Sequence, residues 1–266
     1  MKVLVVVQAR TGSTRLPGKV MMPLAGKPLL VRMLERLQAA RTPSQIIVAT
    51  TTDTSDDPVE VLAKQAGVAC VRGHPTDLLD RHIAALRTTN CDAVSKIPSD
   101  QPLLDPALVD RVLGTFLEDP SVDYVSNLHP STWPDGYDVE VMKREVLETA
   151  WREAKKPMER EHTTPFFWEQ PSRFRLGNVR RRGLDLSRTH RFTIDYPEDY
   201  RFVRAVFEAL HREGQPPFGL QDILELLASR PEIAALNECW AGVNWYRHHL
   251  DELRTVGAAD TRADVA

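Results

Sequence analysis

The chain has 266 residues, with 34 Lys and Arg against 37 Asp and Glu and a formal net charge of −3. That length holds one sizeable α/β domain with room for an appended subdomain, and the near-neutral charge argues against a general nucleic-acid binder. No run approaches the roughly 20 apolar residues of a membrane helix, and the three cysteines, Cys70, Cys91 and Cys239, form neither a CxxC pair nor a disulfide framework, which fits a reducing cytoplasm.

Residues 3–7 are a continuous apolar run, VLVVV, as expected of a strand buried on both faces. A Gly- and Arg-rich loop follows over residues 8–19. Leu29, Leu30, Met33, Leu34 and Leu37 then recur at helical spacing, which predicts a helix over 28–40 with Pro28 in its first turn. Strands are predicted at 45–49, 69–72 and 93–97, with helices at 57–66, 77–88 and 106–117 between and after them. The second half is less regular. Strands are expected at 122–126, 138–142 and 191–195, and helices at 144–155, 197–213, 220–227 and 232–250. The run Arg180, Arg181 and Arg182 reads as exposed surface, and 257–266, small and polar, as a disordered tail. Strands alternating with helices indicate an α/β fold around a mostly parallel sheet with right-handed crossovers. In such sheets ligands sit outside the carboxyl ends of the strands. The informative loops are therefore those after residues 7, 49, 72 and 97.

The loop at 8–19 reads QARTGSTRLPGK. Glycines let a backbone approach phosphate oxygens, and successive N–H groups form an anion nest. Arg10 and Arg15 add planar donors and Lys19 a point charge. A triphosphate suits that combination. The pattern is neither a Walker A loop, because five residues separate Gly12 from Gly18 and Val20 follows Lys19, nor GxGxxG. The competing reading is a solvated turn with unrelated cations, which the position after the first strand disfavours. Asp100 and Asp195 end strand-like runs. As turn or capping residues they need no function. Asp56 and Asp57 read as acids at a helix N-terminus and Asp105 as a cap. The pair His248 and His249 reads as a solvated helix face, and the cysteines as core packing.

The stretch QARTGSTRLPGKVMMPLAGKPLL resembles the signature of the CMP-sugar synthetases, the family of the KDO and acylneuraminate cytidylyltransferases, and within it the branch of spore-coat polysaccharide cytidylyltransferase-like proteins. The similarity runs on through IVATTTDTSDDP, RGHPTDLLDRH, SDQPLLDPALVD, PDGYDVEVM, EREHTTPF and FTIDYPEDYRFVRAVFEAL, covering residues 2–240 in order. It implies a three-layer, Rossmann-like fold of the nucleotide-diphospho-sugar transferase type. The α/β domain would occupy 1–213, with an acceptor and dimerisation region at 127–190 and a helical extension at 214–256. It further implies cytidylyl transfer from CTP, with Mg2+ as cofactor, to a small anionic acceptor such as a sugar acid, a sugar or a phosphonate.

Mapped onto this chain, the nucleotide would be held by Ala9, Arg10, Gly12, Ser13, Thr14, Arg15, Lys19, Thr50, Thr51, Asp53, Asp80, Arg81 and Ser99. Thr50, Thr51 and Asp53 fall on the base-recognition loop. Lys19, Arg15 and Asp100 would be catalytic, Asp100 and Asp195 would hold the metal, and Asp138, Glu140, Arg160 and His162 would face the acceptor. Arg160 serves equally well as part of a solvated helix start. Ser99 stands where close relatives carry Gly. A homodimer is expected from the same resemblance. Two other readings remain open on the residues alone. One is a glycosyltransferase consuming a nucleotide-sugar. The other is a non-catalytic nucleotide-binding protein, disfavoured by the joint presence of Arg10, Arg15, Lys19, Asp100 and Asp195.

Overall fold

The apolar run at the N-terminus forms β1 (Val3–Gln8). Its side chains divide between two cores: Val3, Val5 and Val7 enter one, Leu4 and Val6 the other. This is the alternation that puts successive strand residues on opposite faces of a sheet. The computed structural model describes residues 1–262. After β1 come a two-residue hairpin, β2 (Pro23–Leu24) and β3 (Lys27–Pro28), then α1 (Leu29–Gln38), β4 (Gln45–Thr51), α2 (Asp57–Gln65), β5 (Ala69–Gly73), α3 (Leu78–Arg87), β6 (Ala93–Pro98) and α4 (Pro106–Glu118). The second half contains β7 (Tyr124–Ser126), β8 (Glu140–Lys143), α5 (Arg144–Glu153), α6 (Pro157–His162), α7 (Pro165–Trp168), β9 (Leu176–Asn178), α8 (Pro197–Leu210), α9 (Leu220–Ser229) and α10 (Pro231–Ala234).

The main sheet has seven strands in the order β5-β4-β1-β6-β8-β7-β9. The four strands β5, β4, β1 and β6 run parallel. β8 pairs antiparallel with both β6 and β7, and β9 returns parallel to β7. One core holds the apolar faces of α1, α2, α4, α8 and α9, and the other those of α3, α5, α6 and α7. The result is a helix–sheet–helix sandwich, as the sequence predicts. Each Leu or Phe fully buried in these cores contributes roughly 1.5–3 kcal/mol from area removed from water. No helix among the described residues is long and apolar enough to cross a membrane.

Four expectations are corrected. Residues 191–195 are not a strand: Arg191 makes only an isolated bridge to Asp135, and Ile194 donates its N–H to the Asp100 carbonyl at 2.9 Å. That segment crosses tightly over Gly136. With φ at +95° and a Cβ that would stand 2.2 Å from the Thr193 nitrogen, this position accepts only glycine. The helix expected over 232–250 ends at Ala234, and 3-10 turns at Glu238–Trp240 and Trp245–His248 replace the rest, with Gly242 at φ +76° between them. Cys239 is exposed rather than packed in a core, whereas Cys91 is buried. In the expected tail, Ala258–Asp260 forms a 3-10 turn and Thr261 is buried, while 263–266 lie outside the described residues.

Candidate active site

The Gly- and Arg-rich loop folds over one carbonyl. The Thr11 oxygen accepts the N–H of Ser13 at 2.9 Å and of Gly18 at 2.8 Å. Gly18, at φ +70°, then turns the chain into the 3-10 turn Lys19–Met21. Thr11 is itself tethered, donating its N–H to Asp56 Oδ1 at 2.6 Å and its hydroxyl to the same oxygen at 2.8 Å. Asp56 Oδ2 accepts the Thr51 hydroxyl. Asp56 is thus a buried anchor between the loop and the end of β4. It makes no side-chain cap to α2, so the helix-start reading of Asp56 misses what it does. Asp105, by contrast, caps α4 by accepting from the Ala107 N–H at 2.8 Å.

The anchored turn points Lys19 inward. Its ammonium donates to Asp100 Oδ2 at 2.7 Å, to Asp195 Oδ1 at 3.1 Å and to the Ile194 carbonyl at 2.7 Å. Arg15 Nη2 lies 2.6 Å from the same Asp195 oxygen. Capping is not what Asp195 does: Asp199 Oδ2 accepts the N–H groups of Asp195 and Tyr196 at 3.0 Å and so closes the start of α8. Asp100 and Asp195, 95 positions apart in sequence, are thereby joined through one lysine.

A cleft of about 470 Å³ opens beside this cluster, and Ala9, Arg10, Ser13, Thr14, Arg15, Lys19, Arg81, Ser99, Asp100 and His162 line it. So do Gln8, Lys96, Trp245, His248 and His249, which the sequence did not mark for a site. Both histidines line the cleft; His248 is solvent-exposed as expected, but it sits on a 3-10 turn rather than a long helix. His162 stacks on Trp245 with ring centroids 3.8 Å apart. Only the tertiary fold brings α6 and the C-terminal turn together.

Other expected residues lie elsewhere. Gly12 is exposed with open space around it. Thr50 is fully buried with an unpaired hydroxyl, and Thr51 is bound to Asp56. Asp53 accepts the Ser55 N–H at 2.8 Å. Asp80 accepts the Trp151 indole N–H at 2.9 Å. Arg160 donates to Asp77 at 2.7 Å and to the Trp151 carbonyl at 2.7 Å. Glu140 accepts from Lys96 at 2.6 Å and from the Tyr124 hydroxyl at 2.5 Å. Asp138 lines a second cavity.

A further residue escaped the sequence altogether. Arg191 is buried and reaches Asp135 at 2.7 Å, Asp195 at 3.1 Å and Asp199 at 3.0 Å. A lone arginine in RFTID carries no sequence signal for that role. Burial works against the charge of Lys19, but Asp100 and Asp195 outweigh it and raise its pKa. Burial likewise opposes the Asp195 carboxylate, yet Lys19, Arg15 and Arg191 hold it well below the usual range. Glu140 is lowered too, because Lys96 outweighs burial. His162 is kept neutral by burial, helped by Lys96.

Among the described residues no three His, Cys, Asp or Glu side chains converge to hold a metal. The paired carboxylates of Asp100 and Asp195, brought within reach of one cation, instead fit an ion that takes one or two carboxylates and completes its shell with phosphate and water.

Comparison with known proteins shows what this architecture is similar to. The cytidylyltransferase family model matches residues 4–224. The structure of a cytidylyltransferase from Leptospira borgpetersenii superposes with a TM-score of 0.83 at 32% identity, over 88% of this chain and 97% of that one. The spore coat polysaccharide biosynthesis protein SpsF of Bacillus subtilis is 27% identical over 89% of this chain and 98% of its own. The 3-deoxy-manno-octulosonate cytidylyltransferase of Bdellovibrio bacteriovorus is 36% identical over 49% of this chain and 52% of its own.

Proposed function

The chain belongs to the cytidylyltransferase family, and from that premise we propose that it transfers CMP from CTP to an oxygen of a small acidic acceptor, releasing pyrophosphate. The observation that carries the proposal is that Arg15, Lys19 and Asp100 line the cleft together, with Asp195, outside the lining, paired to both cations. Triphosphate and acidic acceptor repel each other, so the protein's work is charge neutralisation and alignment rather than covalent catalysis. Arg10, Arg15 and Lys19 would hold the phosphates, with Lys19 and Arg15 opposing charge that develops on the leaving pyrophosphate. The tether from Asp56 to Thr11 holds the loop in place for that contact. Asp100 and Asp195 would hold Mg2+, which when bound supplies neutralisation of the phosphates. The names of the Bdellovibrio and Bacillus relatives support a sugar acid or another polysaccharide precursor as acceptor.

Titration calorimetry with CTP, UTP, ATP and GTP, with and without Mg2+, tests the reading. The expected result is Mg2+-dependent binding selective for CTP and lost in Asp100→Ala. Binding of a nucleotide-sugar in place of any triphosphate would overturn it. A cytoplasmic location and a homodimer belong to the same proposal. The free cysteines support the first, and sedimentation of the purified chain tests the second.

A further inference from the structure

Beside the cleft lies a second cavity of about 500 Å³, and Trp245 walls both. Aromatic rings supply much of its wall. His129 lies 4.3 Å from Trp168, Trp168 lies 6.2 Å from Tyr246, and Tyr246 lies 4.6 Å from Trp245.

The polar lining is acidic. Asp135 is engaged by Arg191 at 2.7 Å. Asp185 accepts the Ser187 N–H at 2.9 Å, and Asp260 the Gly257 N–H at 2.8 Å. Asp138 differs. Its backbone N–H donates to Gln101 Oε1 at 2.9 Å, but among the described residues no group donates to its carboxylate. Burial, and then the neighbouring Asp135 and Glu140, push its pKa well above the ordinary value. The guanidinium in the lining, Arg188, is turned to the Ala259 carbonyl. Burial lowers His129 to about 4, so its ring brings no charge near neutral pH.

The faces of aromatic rings attract cations, more strongly where water is excluded. Asp138 is half-buried; a carboxylate partly withdrawn from water without a partner carries a cost, and a positive group beside it removes that cost. The aromatic wall and the unpartnered acid meet in one cavity. An anion there would face four carboxylates, Asp135, Asp138, Asp185 and Asp260, against the single guanidinium of Arg188 in the described lining.

We infer that the second cavity receives a cationic amine, with Asp138 as its carboxylate partner and Trp168, Trp245 and Tyr246 as its aromatic wall. As a statement about the acceptor this rests on the transfer reading above. The acceptor is then a small acidic, hydroxylated molecule that also carries an amine, with its reacting end in the cleft and its ammonium group in the second cavity.

The test uses the full chain and three probes that differ in one charge: glucosamine, N-acetylglucosamine and glucose. Each is titrated by calorimetry and by tryptophan fluorescence, alongside CTP. Glucosamine is expected to saturate where the two neutral sugars do not, and Asp138→Asn, which keeps the size of the side chain, to weaken it by about tenfold or more while CTP still binds. Equal binding of the neutral sugars, or no binding of any of the three while CTP binds, overturns the inference. Glucosamine binding without CTP binding supports the amine site and sinks the transfer reading instead.

Discussion

Lys19 shows how a residue's neighbours decide its meaning. Read alone it is one cation in a polar loop; in the fold it is buried between Asp100 and Asp195. Replacing Lys19 or Arg15 by Ala is expected to lower kcat by about 10²–10³, the weight of one preorganised contact to developing charge. Pyrophosphate release under saturating CTP measures it, and an unchanged kcat would return the loop to a solvated turn. Asp135 makes a second residue-level case. Burial pushes it up to about 6 despite Arg191, because that one guanidinium is shared with Asp195 and Asp199. The folded chain therefore keeps this proton where the unfolded chain, at 3.8, has released it. Its contribution to stability is full below about pH 4 and is lost as pH rises through about 6. Asp195, lowered by its cations, acts in the opposite sense, its contribution being lost as pH falls below the ordinary carboxylate range. Asp135→Asn should remove the loss on the side of rising pH, so thermal melts between pH 4 and 7 should show a smaller decline than in the parent chain.

At the scale of elements, the loop after β1 owes its shape to a partner on the loop after β4. Thr11, Asp56 and Thr51 form that joint. Asp56→Ala would strand the half-buried Thr11 donors and the buried Thr51 hydroxyl, costing about 1–3 kcal/mol, and would loosen the Gly- and Arg-rich loop. The KM for CTP is expected to rise severalfold along with the fall in Tm. If Asp56 were merely a helix-start acid, stability would drop by under about 1 kcal/mol with KM unchanged. The same scale explains the error over 191–195. RFTID alternates as a strand should, but the Gly136 turn presses against Phe192 and Thr193, leaving a bridge to Asp135 in place of a ladder.

Across the whole molecule, the site is assembled from both ends of the chain around Arg191. That guanidinium touches Asp135, Asp195 and Asp199 and donates to the Val243 carbonyl at 2.5 Å, linking the acid that pairs with Lys19, the wall of the second cavity, the start of α8 and the C-terminal turns. Arg191→Met would leave buried carboxylates without their shared cation. It should destabilise the chain by about 3–5 kcal/mol, read as a shift in the urea midpoint. A loss below about 1 kcal/mol would mean the network is solvated and not structural.

The sequence by itself determined the α/β sandwich. Strand and helix periodicity are local properties of the chain, and β1, β4, β5 and β6 fall where the apolar runs place them. It also marked the Gly- and Arg-rich loop and the two aspartates that the fold brings together at Lys19, since Gly, Arg and Lys after a buried strand carry their chemistry in their spacing. Only the tertiary structure decided that Asp56 tethers the loop, that Arg191 joins three acids, that His248 and His249 line the cleft, and that Asp138, with no donor to its carboxylate among the described residues, sits beside a wall of rings. Each of those facts is a contact between residues distant in sequence. A polar side chain's role depends on which group the fold sets within about 3 Å of it, and no periodicity in the chain records that.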